Sequence, residues 1–135
     1  MNKIKIDTET FRIISVFERI TKVHPKDCLV SQSAVYFLIA DNKIGLAIGK
    51  NGVNTKKLSK LIGKEIRLFE YSESPEALIK NLIPTAENIE ISGESARISV
   101  PQQKRHSVIG RAGKNINMVK EILQRHSSIK ELKIR

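Results

Sequence analysis

A chain of 135 residues, 40% of them apolar and 28% charged, has room for one ordinary domain or two very small ones and can bury a core. Its 24 Lys and Arg against 14 Asp and Glu leave a formal charge of +10, which points to a polyanionic partner, nucleic acid first and an acidic membrane surface second. The absence of an apolar run of about 18 residues excludes a spanning helix, and a single cysteine, Cys28, excludes an internal disulfide and fits a reducing compartment.

Residues 1–7 lack the apolar stretch of a signal peptide, so a cytoplasmic location is expected. Phe11, Ile14, Phe17 and Ile20 form a stripe that predicts a helix over residues 8–22, with Asp7 or Thr8 as N-cap. Two short apolar runs, 28–31 and 34–40, read as strands joined by a turn at Ser31-Gln32-Ser33. Cys28, beside Leu29 and Val30, is expected as a small buried apolar side chain. A short helix over 43–48 leads to Gly49, and Val53, Leu58, Leu61 and Ile62 mark a further helix that Gly63 can end as C-cap. Residues 66–71 read as a strand. Ser74-Pro75-Glu76 then supplies an N-cap, a proline at the first helical position and an acid in the first turn. That helix stops before Pro84. Strands are expected over 89–92 and 97–100, turning at Gly93-Glu94-Ser95, and a short helix precedes Gly110. Ile116, Val119, Ile122 and Leu123 make the last helical stripe, and 132–134 the last strand. Phe11, Phe17, Phe37 and Phe69 all fall on apolar stripes and are expected in the core.

The order helix, strand, strand, helix, helix, strand thus occurs twice, and one motif recurs with it. Ala47-Ile48-Gly49-Lys50-Asn51-Gly52-Val53-Asn54 and Val108-Ile109-Gly110-Arg111-Ala112-Gly113-Lys114-Asn115 place both of their glycines 61 residues apart. The boundary falls near residues 71–74 without a flexible linker, which predicts that the halves pack together. Charge is segregated. Residues 43–64 hold six lysines and no acid, 97–125 hold seven basic residues and one acid, and 65–94 hold seven acids against Arg67 and Lys80. A solvated face would intermix the signs. Two glycines three apart between helices let backbone N–H groups approach an anion, with the next helix adding its positive end; Lys50 and Arg111 would add a cation. A tight helical turn that needs glycine for geometry alone is the rival reading for one such loop, and two at equal offset argue against it.

Ile-Gly-x-x-Gly in this setting resembles the KH module, in its type II form because a helix opens each unit. The resemblance implies an α+β fold of two tandem type II KH domains, residues 1–72 and 73–135, each with a three-stranded sheet. It also implies that each loop grips the backbone of about four nucleotides while bases enter an apolar groove. On that analogy Ile48 and Ile109 line the grooves. Gly49, Lys50, Asn51, Gly52 and Gly110, Arg111, Ala112, Gly113 form the grips, flanked by Asn54, Lys57, Lys114 and Asn115. The first motif, with Leu61, Gly63 and Ile66 after it, and the junction of residues 70–86 are similar to the NusA-like family of transcription factors, over nearly the whole chain. A chain limited to two KH units resembles the family's short archaeal form. Thr55 departs from the apolar residue usual after Gly-x-Asn, to which Ile116 conforms.

Other chemistry finds little support. Residues 45–50 depart from a P-loop, which needs four residues between its glycines and Ser or Thr after the lysine, where Asn51 stands. His24, His106, His126 and Cys28 make no metal motif, and no nucleophile–base spacing is recognisable. Aromatic residues are 4% of the chain, too few for a stacking platform, so base contacts should be aliphatic and hydrogen-bonded. The expected function is non-catalytic binding of one continuous single-stranded RNA. By resemblance this serves transcription elongation or termination, with RNA polymerase as a further partner and without cofactor, metal, membrane or small-molecule substrate. Two alternatives stay open: an RNA-binding role in ribosomes or RNA processing, and a protein-interaction adapter whose glycine loops are structural.

Overall fold

The computed structural model describes residues 7–135; residues 1–6, read above for a signal peptide, lie outside the described residues. The chain divides into two compact units, one ending at Tyr71 and the other beginning at Ser72. In the first, helix α1 (Thr8–Thr21) is followed by strands β1 (Asp27–Val30) and β2 (Ala34–Ile39). Helices α2 (Ile44–Ile48) and α3 (Val53–Ile62) lead on to strand β3 (Glu65–Glu70). The second unit repeats the order with α4 (Pro75–Leu82), β4 (Glu87–Ser92), β5 (Ser95–Ser99), α5 (Arg105–Ile109), α6 (Lys114–His126) and β6 (Glu131–Ile134). A 3-10 turn precedes each short helix and another follows it.

Both units build a three-stranded sheet of mixed sense. β1 and β2 pair antiparallel across the Ser31-Gln32-Ser33 turn, and β2 and β3 pair parallel from Ala34↔Glu65 to Ile39↔Glu70. β4, β5 and β6 pair in the same order and senses. A parallel pair cannot be joined by a hairpin and needs a crossover, usually helical. In each unit that crossover is the short helix, the glycine loop and the longer helix.

Capping follows the sequence signals. The Thr10 amide donates to Asp7 Oδ1 at 2.7 Å, which holds the Asp7 carboxyl below its usual range. Its stabilising contribution is therefore present at neutral pH and fades as acidification protonates it. Ser74 Oγ accepts from the Ala77 amide at 3.3 Å, with Pro75 at the first helical position. Gly63 ends α3 at φ 78°, ψ 21°.

The first core gathers Ile13, Phe17, Val23, Cys28, Val35, Phe37, Ile39, Ala47 and Leu58, with the Phe17 and Phe37 rings stacked at 4.1 Å. Burial pushes the Cys28 thiol up to about 12, so it is an apolar filler and not a nucleophile. In the second unit Leu78, Ile79 and Leu82 of α4 and Ile116, Val119, Ile122 and Leu123 of α6 are buried, as are Ala96 and Ile98 of β5.

Three expectations fail. Phe69 on β3 is only half-buried and stands outside the first core. Phe11 is 64% exposed. Phe11, Ile14, Phe17 and Ile20 recur every three residues, and at about 100° per residue such a series drifts around the helix. The buried face instead runs Thr10, Ile13, Phe17, Thr21, placing Phe11 about 120° from Phe17. On α3 only Leu58 is fully buried, while Val53 and Leu61 are 46% and 58% exposed. Ile62 lies about 40° from Leu58 and packs on the core, whereas Val53 lies about 140° away. Phe17→Ala should destabilise the protein by about 3–5 kcal/mol, measured by urea denaturation followed by circular dichroism; a loss below about 1 kcal/mol would contradict this packing.

Candidate nucleic-acid interface

The two glycine loops share one backbone conformation. Gly49 and Gly110 have φ/ψ of 78°/168° and 79°/168°, a region open only to glycine. Asn51 and Ala112 are left-handed at 57°/27° and 56°/27°, and Gly52 and Gly113 follow at 70°/23° and 74°/12°. Asparagine tolerates that region, but for alanine it costs about 1–2 kcal/mol. Strain of this kind persists only where the surroundings impose it, and it concentrates at functional loops.

Steric need reinforces the first glycine. A Cβ on Gly49 would lie 2.9 Å from Asn54 Nδ2 and 3.0 Å from Val53 Cγ1, and one on Gly110 would lie 2.9 Å from the Asn115 backbone nitrogen. Both asparagines tie the longer helix to the shorter. Asn54 Nδ2 donates to the Leu46 carbonyl at 3.2 Å and Asn115 Nδ2 to the Val108 carbonyl at 2.8 Å. Sequence reasoning named these asparagines as candidate ligand-binding residues, and their side chains also tie the two helices of each loop together.

The glycine amides have partners the motif alone did not reveal. Gly49 N–H donates to the Gly45 carbonyl at 3.0 Å, Gly110 N–H to the His106 carbonyl at 2.9 Å, and Gly52 and Gly113 to Gly49 and Gly110 at 3.1 Å. The glycine N–H groups therefore serve the loop itself. The two residues between the glycines, Lys50 and Asn51 in one loop and Arg111 and Ala112 in the other, are all exposed. Successive backbone amides of a turn beside a cation are a known means of binding an anion.

The remaining candidates are distributed around these corners. Ile48 closes α2 and is 38% exposed, and Ile109 closes α5 half-buried. Lys57 is exposed on α3, and Lys114 is the exposed first residue of α6. Lys43, Lys50, Lys56 and Lys60 are exposed as well. Some of the positive charge has other duties. Lys64 Nζ donates to the Ser31 carbonyl at 2.8 Å and pairs with Glu9, the Arg105 guanidinium donates to the Arg135 carbonyl, and Arg125 pairs with Glu121 at 2.8 Å. Arg97 lies in β5 opposite Glu90. Leu46 and Val53 are 55% and 46% exposed next to the first loop; sequence reasoning used Val53 only as a marker of α3 and did not single out Leu46. Leu46 lies one residue before the buried Ala47 on a five-residue helix too short to show periodicity.

Because Gly113 is αL with no atom closer than 3.7 Å to its virtual Cβ, Gly113→Ala should cost about 1 kcal/mol. Gly110→Ala combines a glycine-only conformation with a backbone clash and should cost clearly more, about 2–4 kcal/mol. Thermal denaturation of the two variants compares them; equal losses would contradict the loop geometry.

Residues 12–80 match the KH domain family. The chain is 30% identical to the probable transcription termination protein NusA of Methanocaldococcus jannaschii, over 99% of this chain and 76% of that protein. It is 32% identical to the protein of the same name from Methanococcus vannielii, over 98% and 80%. A crystal structure of APE1850 superposes with a TM-score of 0.73 at 31% identity, covering 96% of this chain and 100% of that one. The repeated loops, the mixed three-stranded sheets and these similarities together place the chain in the KH-domain family, among the NusA-like proteins.

Proposed function

We propose that the protein is a NusA-like transcription factor that binds single-stranded RNA through two tandem type II KH domains, residues 1–72 and 73–135, without catalysing a reaction. The observation that carries this reading is the recurrence of one strained loop conformation at two sites 61 residues apart. Each site exposes the two residues between its glycines, one of them a cation. A loop built for a helical turn alone has no need of a lysine and an arginine at matching exposed positions.

In this reading the Lys50–Asn51 and Arg111–Ala112 amides donate to phosphate oxygens of the RNA backbone, and Lys50 and Arg111 neutralise the adjacent charge. Ile48 and Ile109 line the base-facing side of each loop. Lys57 and Lys114 extend the cationic surface along α3 and at the start of α6, while Asn54 and Asn115 hold the corners in shape. Linking two weak sites raises apparent affinity through effective concentration, with no new contact. The relatives' name, transcription termination protein, supports a role in holding nascent RNA during elongation or termination, with RNA polymerase as the protein partner. Among the described residues no helix is long and apolar enough to cross a membrane, which agrees with action in the cytoplasm.

The test replaces Lys50, Asn51, Arg111 and Ala112 together with Asp. Asp tolerates the left-handed region, so circular dichroism should be unchanged, while affinity for single-stranded RNA should fall about a hundredfold. For the unmodified protein, log affinity should decline with log salt by about 0.7 per neutralised phosphate. Undiminished binding by the folded variant would favour a protein-interaction adapter with structural glycine loops.

A further inference from the structure

The two loops agree in backbone but differ in what surrounds them. Within four residues of Gly49 stand three exposed aliphatic side chains, Leu46 at 55%, Ile48 at 38% and Val53 at 46%. At the matching positions of the second unit stand Ser107, Ile109 and Lys114, of which the isoleucine is half-buried and the other two are polar and exposed. No large hydrophobic residue of the second unit's crossover is among the exposed ones. Both units keep cations nearby, Lys56, Lys57 and Lys60 on α3 and Lys104, Arg111 and Lys114 in the second. Phosphate attraction is therefore common to both, and the aliphatic surface is not.

We infer that the preference among RNA bases resides in the first loop, where Leu46, Ile48 and Val53 contact unstacked bases, while the second loop holds the phosphate chain without reading it. The inference rests on the RNA-binding reading above. Phosphate contacts position a strand and carry no base information; only contacts to the bases can discriminate. Outward aliphatic side chains beside an anion-binding corner gain by covering a base and nothing by facing water. With few aromatic residues in the chain, aliphatic contact is the means available for it. Lys114, in place of an aliphatic residue at the mouth of the second loop, adds a further phosphate contact instead.

The experiment exchanges the surfaces. Leu46→Ser with Val53→Lys gives the first unit the second unit's residues, and Ser107→Leu with Lys114→Val does the reverse. Each is titrated with short fluorescent oligo(A), oligo(C) and oligo(U) at several salt concentrations, after circular dichroism confirms the fold. The wild type should prefer one homopolymer by about fivefold or more. Leu46→Ser with Val53→Lys should compress that ratio to near one while steepening the salt slope by about 0.7. The reverse exchange should keep the ratio and flatten the slope by about the same amount. An unchanged ratio in the first variant, its loss in the second, or no preference in the wild type overturns the inference while leaving the RNA-binding reading intact. Failure of the wild type to bind any of the three overturns both.

Discussion

The proposed binding of RNA depends on the chain turning a corner between two helices in four residues. The parallel pairing of β2 with β3, and of β5 with β6, requires the chain to travel back along the sheet, and the helical crossover that carries it must reverse sharply. Gly49 and Gly110 make that reversal possible, adopting a conformation closed to other residues and leaving no space for a Cβ beside Asn54 and Asn115. Once the first glycine is set, the amides of both glycines are drawn into the loop's own hydrogen bonds. The two residues between them are then left exposed at the tip.

This arrangement separates scaffold from site within a single motif. In the proposed binding of RNA the glycines and asparagines serve as scaffold, and the variable pair between the glycines meets the strand. Such a division explains why the pair can differ, Lys50-Asn51 in one unit and Arg111-Ala112 in the other, while the backbone stays the same to within about 11°. It also explains the strain at Ala112, since the corner imposes a left-handed residue whatever side chain occupies the position.

Much of the fold was legible because its signals were local. Asp7, Ser74-Pro75 and Gly63 mark helix ends through their own backbone preferences, and the 61-residue offset of the glycines exposed the repeat directly. The failures came where geometry in three dimensions outweighed spacing. Phe11 sits in a series of period three, which a helix of about 3.6 residues per turn rotates away from the core. Val53 and Leu61 continue an apolar pattern but face outward, and only the packing of α3 around Leu58 decides which side is inside. At the loops the repeated motif was legible, but the internal hydrogen bonds of the glycine amides were not, since Gly-x-x-Gly does not say which N–H groups the loop consumes. The tethering role of Asn54 and Asn115 depends on carbonyls eight and seven residues earlier in the chain, which no spacing rule singles out.

The measurement that bears most directly on this account is a nuclear magnetic resonance titration of the isotope-labelled protein with single-stranded RNA, following backbone amides one by one. The account predicts large, saturable shifts and slowed hydrogen exchange at Lys50, Asn51, Arg111 and Ala112, with Gly49, Gly52, Gly110 and Gly113 already protected before RNA is added. Shifts confined to other surfaces, or glycine amides that exchange freely in the unbound protein, would contradict it.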